Sequence, residues 1–320
     1  MYFPAKPALT QLCLTLVLAF ALLLNIHPSR ASTRKLTELV QQQPLVLKYH
    51  NGALLKGNYT VNIIWYGHFT PSQRSVLLDF LESLNARDDH HKPTSPSVHS
   101  WWRTTEKYKP GPTNLVLGRQ VLDENHSLGK LLKSPHLTAL AAKAAGAGPA
   151  KGSVNVVLTG KDVAVEGFCM SRCGTHGWKA GRGRTGRFAF VWVGNSESQC
   201  PGQCAWPFHQ PMYGPQTAPL VAPNGDVGVD GMVINLATLL AGTVTNPFND
   251  GYFQGPVTAP LEAVTACTGV FGQGAYPGYP GKVLVDGGTG GSYNAHGVHG
   301  RKYLLPAMWD PQKLGCATLV

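Results

Sequence analysis

The sequence predicts an α/β protein: a mixed sheet with helices packed on it, followed by a Gly/Pro-rich, disulfide-stapled C-terminal half. Three observations carry this prediction. Runs rich in β-branched and aromatic residues alternate with runs of helical period over the first half of the chain. From Lys161 onward glycine and proline become frequent and the apolar runs shorten. Six cysteines crowd into that second half.

Residues 1–31 read as a signal peptide: Lys6 precedes an apolar run from Leu12 to Leu24, and Ser29-Arg30-Ala31 supplies the small residues a signal peptidase reads. Residues 32–320 then form a single expected domain, since no Pro/Ser-rich linker or charge run divides them. That run is too short to span a bilayer comfortably, and no later segment reads as a membrane span, so the mature chain is expected to be secreted. Loss of Lys6 and Arg30 lowers the formal net charge from +10 to +8. A basic secreted protein with few charges is drawn to acidic polymers, and secretion favours acidic wall polysaccharide over nucleic acid as the partner.

Tyr59–Phe69 alternates and is β-branched, which predicts a strand. Thr70-Pro71 then caps a helix in which Val76, Leu77, Phe80, Leu81 and Leu84 recur at helical spacing. A strand near Asn114–Val121, a helix around Leu128–Ala145 and a strand at Ser153–Thr159 follow, and Phe188–Val193 is a short strand beyond the change of texture. A helix from about Val229 to Thr245 is apolar almost all round, with Asp226 or Asp230 as N-cap and Pro247 beyond its end. Such a helix belongs in the middle of a domain. Along it Asn235, Thr238, Gly242 and Thr245 keep register at spacings of three, four and three, a row that either faced a site or marks a close crossing.

Cys169, Cys173, Cys200, Cys204, Cys267 and Cys316 remain after the signal, an even number, and in a secreted chain disulfides are favoured over a four-thiolate zinc site. The expected pairing joins the 169/173 segment to the 200/204 segment, as neighbours on two antiparallel strands, and Cys267 to Cys316, although spacing alone leaves other connectivities open. Asn58-Tyr59-Thr60 and Asn125-His126-Ser127 are N-glycosylation sequons.

GRGRTG, 181–186, matches a dinucleotide-binding pattern, but a Gly- and Cys-rich segment precedes it and a strand follows, so the helix that would meet a pyrophosphate is missing. Lys179, Arg182, Arg184 and Arg187 make this instead a basic loop, either a solvated hairpin tip or an anion-binding contact. Trp178, Trp102, Trp206 and Tyr213 could stack on sugar rings near it, against the alternative that they are core aromatics. His176, His209, His296 and His299 invite a metal, yet His296 and His299 lie in a Gly-rich loop with no intervening Glu, and no metal or other cofactor is expected. No G-x-S-x-G elbow is present, and Glu166, Asp226, Asp250, Glu262 and Asp286 are scattered along the chain. No catalytic residue is assigned.

LVLKYHNGALLKGNYTVNIIWYGHF, TPSQRSVLLDFLESLN, GVDGMVINLATLLAGTVTNPFNDGYFQGP and the tail from VLVDGGTGG to MWDPQKLGCATLV resemble the Exordium, or phosphate-induced, protein family of land plants over nearly the whole mature chain. The resemblance implies a secreted apoplast protein associated with growth, cell expansion and brassinosteroid responses, and carries no catalytic residues. A second resemblance concerns TLLAGTVTNP, Thr238–Pro247, which is similar to the H-E-L-A-E-A-V-T-D-P helix of certain secreted zinc-peptidase-like (zincin) proteins. It implies that Thr238 stands at the first ligand position, Leu239 at the catalytic Glu and Gly242 at the i+4 ligand, none of which can hold zinc or take a proton from water. The expectation is a non-enzymatic protein on a zincin-like core that has lost its metal, binding wall polysaccharide or an extracellular protein. A core helix with a close crossing, and a secreted hydrolase using metal or dispersed carboxylates, are the alternatives.

Overall fold

A computed structural model describes residues 44–86, 96–108, 111–146, 152–180, 187–215 and 217–320. Residues 1–31, the expected signal peptide, and Arg182 and Arg184 lie outside the described residues. Leu45–Val320 form one compact unit.

Its centre is a five-stranded sheet of β1 (Gly57–Tyr66), β2 (Thr113–Asp123), β3 (Ser153–Thr159), β4 (Gly174–Ala180) and β5 (Arg187–Gly194), in the order β2-β1-β3-β5-β4. The first four strands in that order run parallel, and β4 joins β5 as an antiparallel edge strand. Parallel strands need crossovers: α1 (Pro71–Ser83) lies on the connection from β1 to β2 and α2 (Ser134–Ala145) on that from β2 to β3, whereas α3 (Val227–Thr245) follows the last strand of the sheet and packs on β5 and β4. Thr70 and Gln73 close a capping box at the start of α1, and Asp226 caps α3 by accepting from Val229 N.

Strand alternation splits the core in two. Val61, Ile63 and Trp65 of β1, with Val191 and Val193 of β5, pack into the cluster that holds α1 and α3. Ile64, Tyr66, Phe190 and Trp192 point to the other face, against α2 and the cysteines at 200 and 204. Both faces of β1, β3 and β5 are therefore covered, which is why those strands read as nearly continuous apolar runs.

Two boundaries differ from expectation. The helix placed at Leu128–Ala145 begins only at Ser134: Gly129 takes a left-handed φ of 80°, Leu131–Leu132 pair with Ala164–Val165, and Pro135 fixes the first helical turn. Secondly, α3, at 19 residues, is long and apolar enough to cross a membrane by length and composition, contrary to the reading that no later segment is, but most of it is buried inside the fold. It is a core helix.

The disulfides are Cys169–Cys200, Cys173–Cys204 and Cys267–Cys316. The first two join the two expected segments, but not on antiparallel strands: Cys169 and Cys173 precede β4 outside any strand, and Cys200 caps a one-turn helix, Pro201–Cys204, that Cys204 ends. Each closes a loop spanning 31 residues, worth about 3–4 kcal/mol in the chain-entropy estimate. Beyond α3 the chain wraps the core in strands of two or three residues, and Cys267–Cys316 fastens the last of them.

Candidate functional site

The face of α3 that carries Gly242 meets the edge strand β4. On an antiparallel strand alternate side chains share a face, so His176 and Trp178 both lean toward α3 and its C-terminal end, where Trp178 meets Phe248 edge-on at 6.2 Å. His176 Nε2–H donates to Glu262 Oε2 at 2.7 Å, and both side chains are only 8% exposed. Glu262 Oε1 accepts from Asn246 Nδ2 at 2.7 Å, while Asn246 Oδ1 accepts from Gly251 N at 2.8 Å. With Nε2 committed, His176 Nδ1 is buried without a partner among the described residues.

Gly242 lies directly beneath this pair. A Cβ there would sit 2.8 Å from Glu262 Oε2 and 3.2 Å from His176 Nε2, so the absence of a side chain is what lets the imidazole and carboxylate approach the helix. Leu239 packs against the backbone of β4 at Gly174. Thr238 donates its hydroxyl back to Ile234 O at 2.8 Å, and Thr245 does the same to Ala241 O. Asn235 Nδ2 donates to Cys204 O and Gly231 O, both at 2.8 Å. The row along α3 is thus a packed crossing: its N-terminal part meets the disulfide-bonded helix, and at Gly242 it meets the His176–Glu262 pair. As a zinc site the three positions do not fit, since one offers no side chain, one a hydrocarbon and one a hydroxyl already bonded to the helix.

The four histidines have separate partners. His176 is paired with Glu262, His209 Nδ1 contacts its neighbour Gln210 O, His296 stacks edge-on with Tyr293, and His299 Nδ1 meets Asp79 Oδ1 at 3.1 Å. Asp79, Glu82 and His299 are the one cluster of metal-ligating type among the described residues, but Arg301 Nε also donates to Asp79, at 2.8 Å, and opposes a cation there. Asp226 is spent on capping α3 and on accepting from Gln73 Nε2, and Asp286 is tied to Lys302 and to the Gly288 and Thr289 amides. Buried Asp230 accepts two hydrogen bonds from Asn224, yet burial dominates and raises its carboxyl to about 7.

The GRGRTG segment connects β4 to β5, so a strand precedes it as well as follows it. That corrects the expectation of irregular chain before it and removes the dinucleotide reading on geometry. Of the basic loop, Lys179 and Arg187 are described and exposed; the Arg187 guanidinium lies 5.2 Å from the Trp178 ring and 4.2 Å from the Phe248 ring. Trp178 is 40% exposed, whereas Trp102 is a core residue. Trp206 and Tyr213 line another surface, whose lining includes neither Trp178 nor Arg187. Asn58 and Asn125 are both exposed, with Asn58 Oδ1 accepting from Asn114 Nδ2. Sequence reading singled out Gly242 but not its partnership with His176 and Glu262. The signal was there only in part: Glu262 was one of the scattered carboxylates and His176 one of the candidate histidines, but nothing local pairs residues 86 positions apart.

The conserved region of phosphate-induced protein 1 matches residues 47–319 of this chain. The chain is 68% identical over 284 residues to Protein EXORDIUM-like 2 of Arabidopsis thaliana, covering 88% of this chain and 92% of that protein. It is 59% identical over 298 residues to Protein PHOSPHATE-INDUCED 1 of Nicotiana tabacum (90% and 93%) and 56% identical over 319 residues to Protein EXORDIUM of Arabidopsis thaliana (95% and 99%). No solved structure matches. By the extent and identity of these matches the chain belongs to the Exordium, or phosphate-induced protein 1, family of secreted plant proteins and is extracellular, a protein of the apoplast.

Proposed function

We propose that this protein acts without catalysis, binding acidic wall polysaccharide at the β4 edge from a zincin-like scaffold whose metal position has been filled. The observation that carries this reading is the His176–Glu262 pair seated on Gly242, because it occupies the space an i+4 ligand and its metal would need. An unpaired metal-binding face would leave a hollow; here a hydrogen-bonded imidazole and carboxylate close it. The binding face is the exposed end of β4, where Arg187 is laid across Trp178 and Phe248 and Lys179 stands beside them. A guanidinium held on aromatic rings offers charge and a stacking surface together, suited to a uronate ring. Binding of this kind in the wall is the route by which the protein would promote growth and cell expansion, with the brassinosteroid link that the family resemblance implies.

One feature favours the competing hydrolase reading: the chain His176–Glu262–Asn246 is a buried, oriented imidazole of the type used in acid–base catalysis. Two measurements decide. Purified protein is expected to carry no stoichiometric zinc after dialysis, and retention on de-esterified pectin is expected to drop when Arg182, Arg184 and Arg187 are changed together to Glu, with the fold intact by circular dichroism. Unchanged retention at low salt rejects the loop as the contact, and stoichiometric zinc, or cleavage of a wall polymer lost in His176→Ala, rejects the non-catalytic reading.

A further inference from the structure

We propose that the groove around Trp206 is a second ligand site and that its ligand is a neutral glycan chain. The groove has a volume of about 870 Å³, in the range of small-ligand sites. It is walled by the disulfide-bonded segment at 169–171 and 202–206, by 211–215, and by 268–270 and 275–278. Among the described residues that line it there is no Lys, Arg, His, Asp or Glu, although the chain as a whole carries 27 basic and 17 acidic residues. A charged ligand would find nothing here to neutralise it, and desolvating its charge against an apolar wall is costly. The occupant this lining selects is uncharged.

The aromatic rings narrow the choice further. Tyr213 is 84% exposed and Tyr276 is 62% exposed, and neither hydroxyl makes a hydrogen bond among the described residues. Tyr276 lies 5.1 Å from Tyr279, and Trp206, partly buried, is tilted against Phe271 at 5.8 Å. An apolar small molecule is best held where large rings close around it, but here the Tyr213 and Tyr276 rings stand out into solvent. Flat faces with a free polar tip suit a ring that is itself amphipathic, with C–H bonds on its faces and hydroxyls at its rim, which is a pyranose. Ser171, Gln203 and Thr268 place a few polar groups among the apolar ones. The extracellular location puts such chains within reach.

The walls are also held in place before any ligand arrives. Cys169–Cys200 fixes one wall, with the Gln203 amide spanning Cys169 O and Ser171 N in the orientation that satisfies both its ends. Thr217 Oγ1 donates to Gly278 O at 2.9 Å, and Tyr276 and Tyr279 exchange backbone hydrogen bonds. A rigid platform loses little freedom on binding, which favours weak, extended ligands. This site shares no lining residue with the Arg187 edge, so the inference stands whether or not the acidic-polymer reading does.

The test is calorimetric titration of the full secreted protein with cellohexaose, mannohexaose and a xyloglucan oligosaccharide, at low and high salt. At least one is expected to bind with an affinity that salt leaves unchanged. Tyr213→Ala and Tyr276→Ala should each weaken it on the order of tenfold, whereas Tyr213→Phe and Tyr276→Phe, which keep the stacking face and lose only the tip, should weaken it less. Both tyrosines are exposed, so the variants are expected to fold, and their retention on pectin should match the parent. The proposal is overturned if none of the three sugars binds, if binding falls with salt, if the alanine variants bind as the parent does, or if an apolar dye saturates the groove and excludes the sugar.

Discussion

Glu262 divides its carboxylate between two elements that lie far apart in sequence: Oε2 accepts from His176 on the edge strand and Oε1 accepts from Asn246 at the end of the central helix. Removing one member of so buried a group leaves the others without a partner, which costs more than the hydrogen bond itself. His176→Ala is expected to destabilise the fold by roughly 3 kcal/mol. In a double-mutant cycle with Glu262→Gln the two losses should be strongly non-additive by denaturant unfolding. Additive losses would show that the contact is incidental.

Gly242 supports a prediction of opposite sign to helix propensity. Alanine is better than glycine inside a helix by about 1 kcal/mol, yet the Cβ would sit 2.8 Å from Glu262 Oε2. Gly242→Ala should therefore lower stability, by about 1–3 kcal/mol. Gly242→His, which places a ligand type four residues after Thr238, should destabilise more and still acquire no stoichiometric zinc on equilibrium dialysis. A stable, zinc-loaded variant would mean that the face is open to a metal.

Asp230 gives a pH dependence. Burial raises its folded pKa from the usual carboxylate value, about 4, to about 7, against the hydrogen bonds from Asn224. Between those two values the folded state holds a proton the unfolded state has released, so stability falls as pH rises from about 4 to 7 and levels off above. Asp230→Asn, which cannot ionise, should flatten this part of the profile, read as the denaturation midpoint across that range. An unchanged slope in the variant would assign the dependence to other groups.

Lys107 and Asp310 fasten the C-terminal tail to the segment Arg103–Lys107, with Lys107 Nζ 2.6 Å from an Asp310 oxygen that is fully buried. Burial alone would raise the Asp310 carboxyl, but Lys107 and the Gln312 and Lys313 amides outweigh it and hold it below the usual range. Its contribution is present above the unfolded carboxylate pKa of about 4 and is lost as pH falls through the lower folded value. Lys107→Met should cost about 2 kcal/mol at neutral pH, allowing for the third of the lysine that solvent reaches, and less in acid. Equal loss at both pH values would trace the effect to packing.

The elements that local pattern governs were legible from the residues. Thr70-Pro71 marks a helix start because a hydroxyl and a fixed φ act within one turn, and SVNVVLT marks a strand because burial on both faces favours β-branched apolar residues, with buried Asn155 admitted by its hydrogen bond from Asn62. The span at Leu128–Leu132 was misread because apolar spacing does not report the left-handed turn at Gly129. The helix at Val227–Thr245 declared itself by composition, and its Gly242 stood out by register, but nothing local says what a glycine makes room for.

By itself the sequence determined secretion, the cysteine framework, the alternation of strands and helices, and the presence of Thr238, Leu239 and Gly242, none of them a His, Cys or carboxylate, on the central helix. Tertiary structure decided the rest: that His176, Glu262 and Asn246 share one hydrogen-bonded group, that Arg187 rests on Trp178 and Phe248, and that Trp206, Tyr213 and Tyr276 border a groove whose described lining carries no charge. Residue type and spacing act over a turn or a strand, whereas these groupings depend on the order and direction in which strands enter a sheet. A buried donor and acceptor find each other across 86 residues only when both backbones are already held by the core.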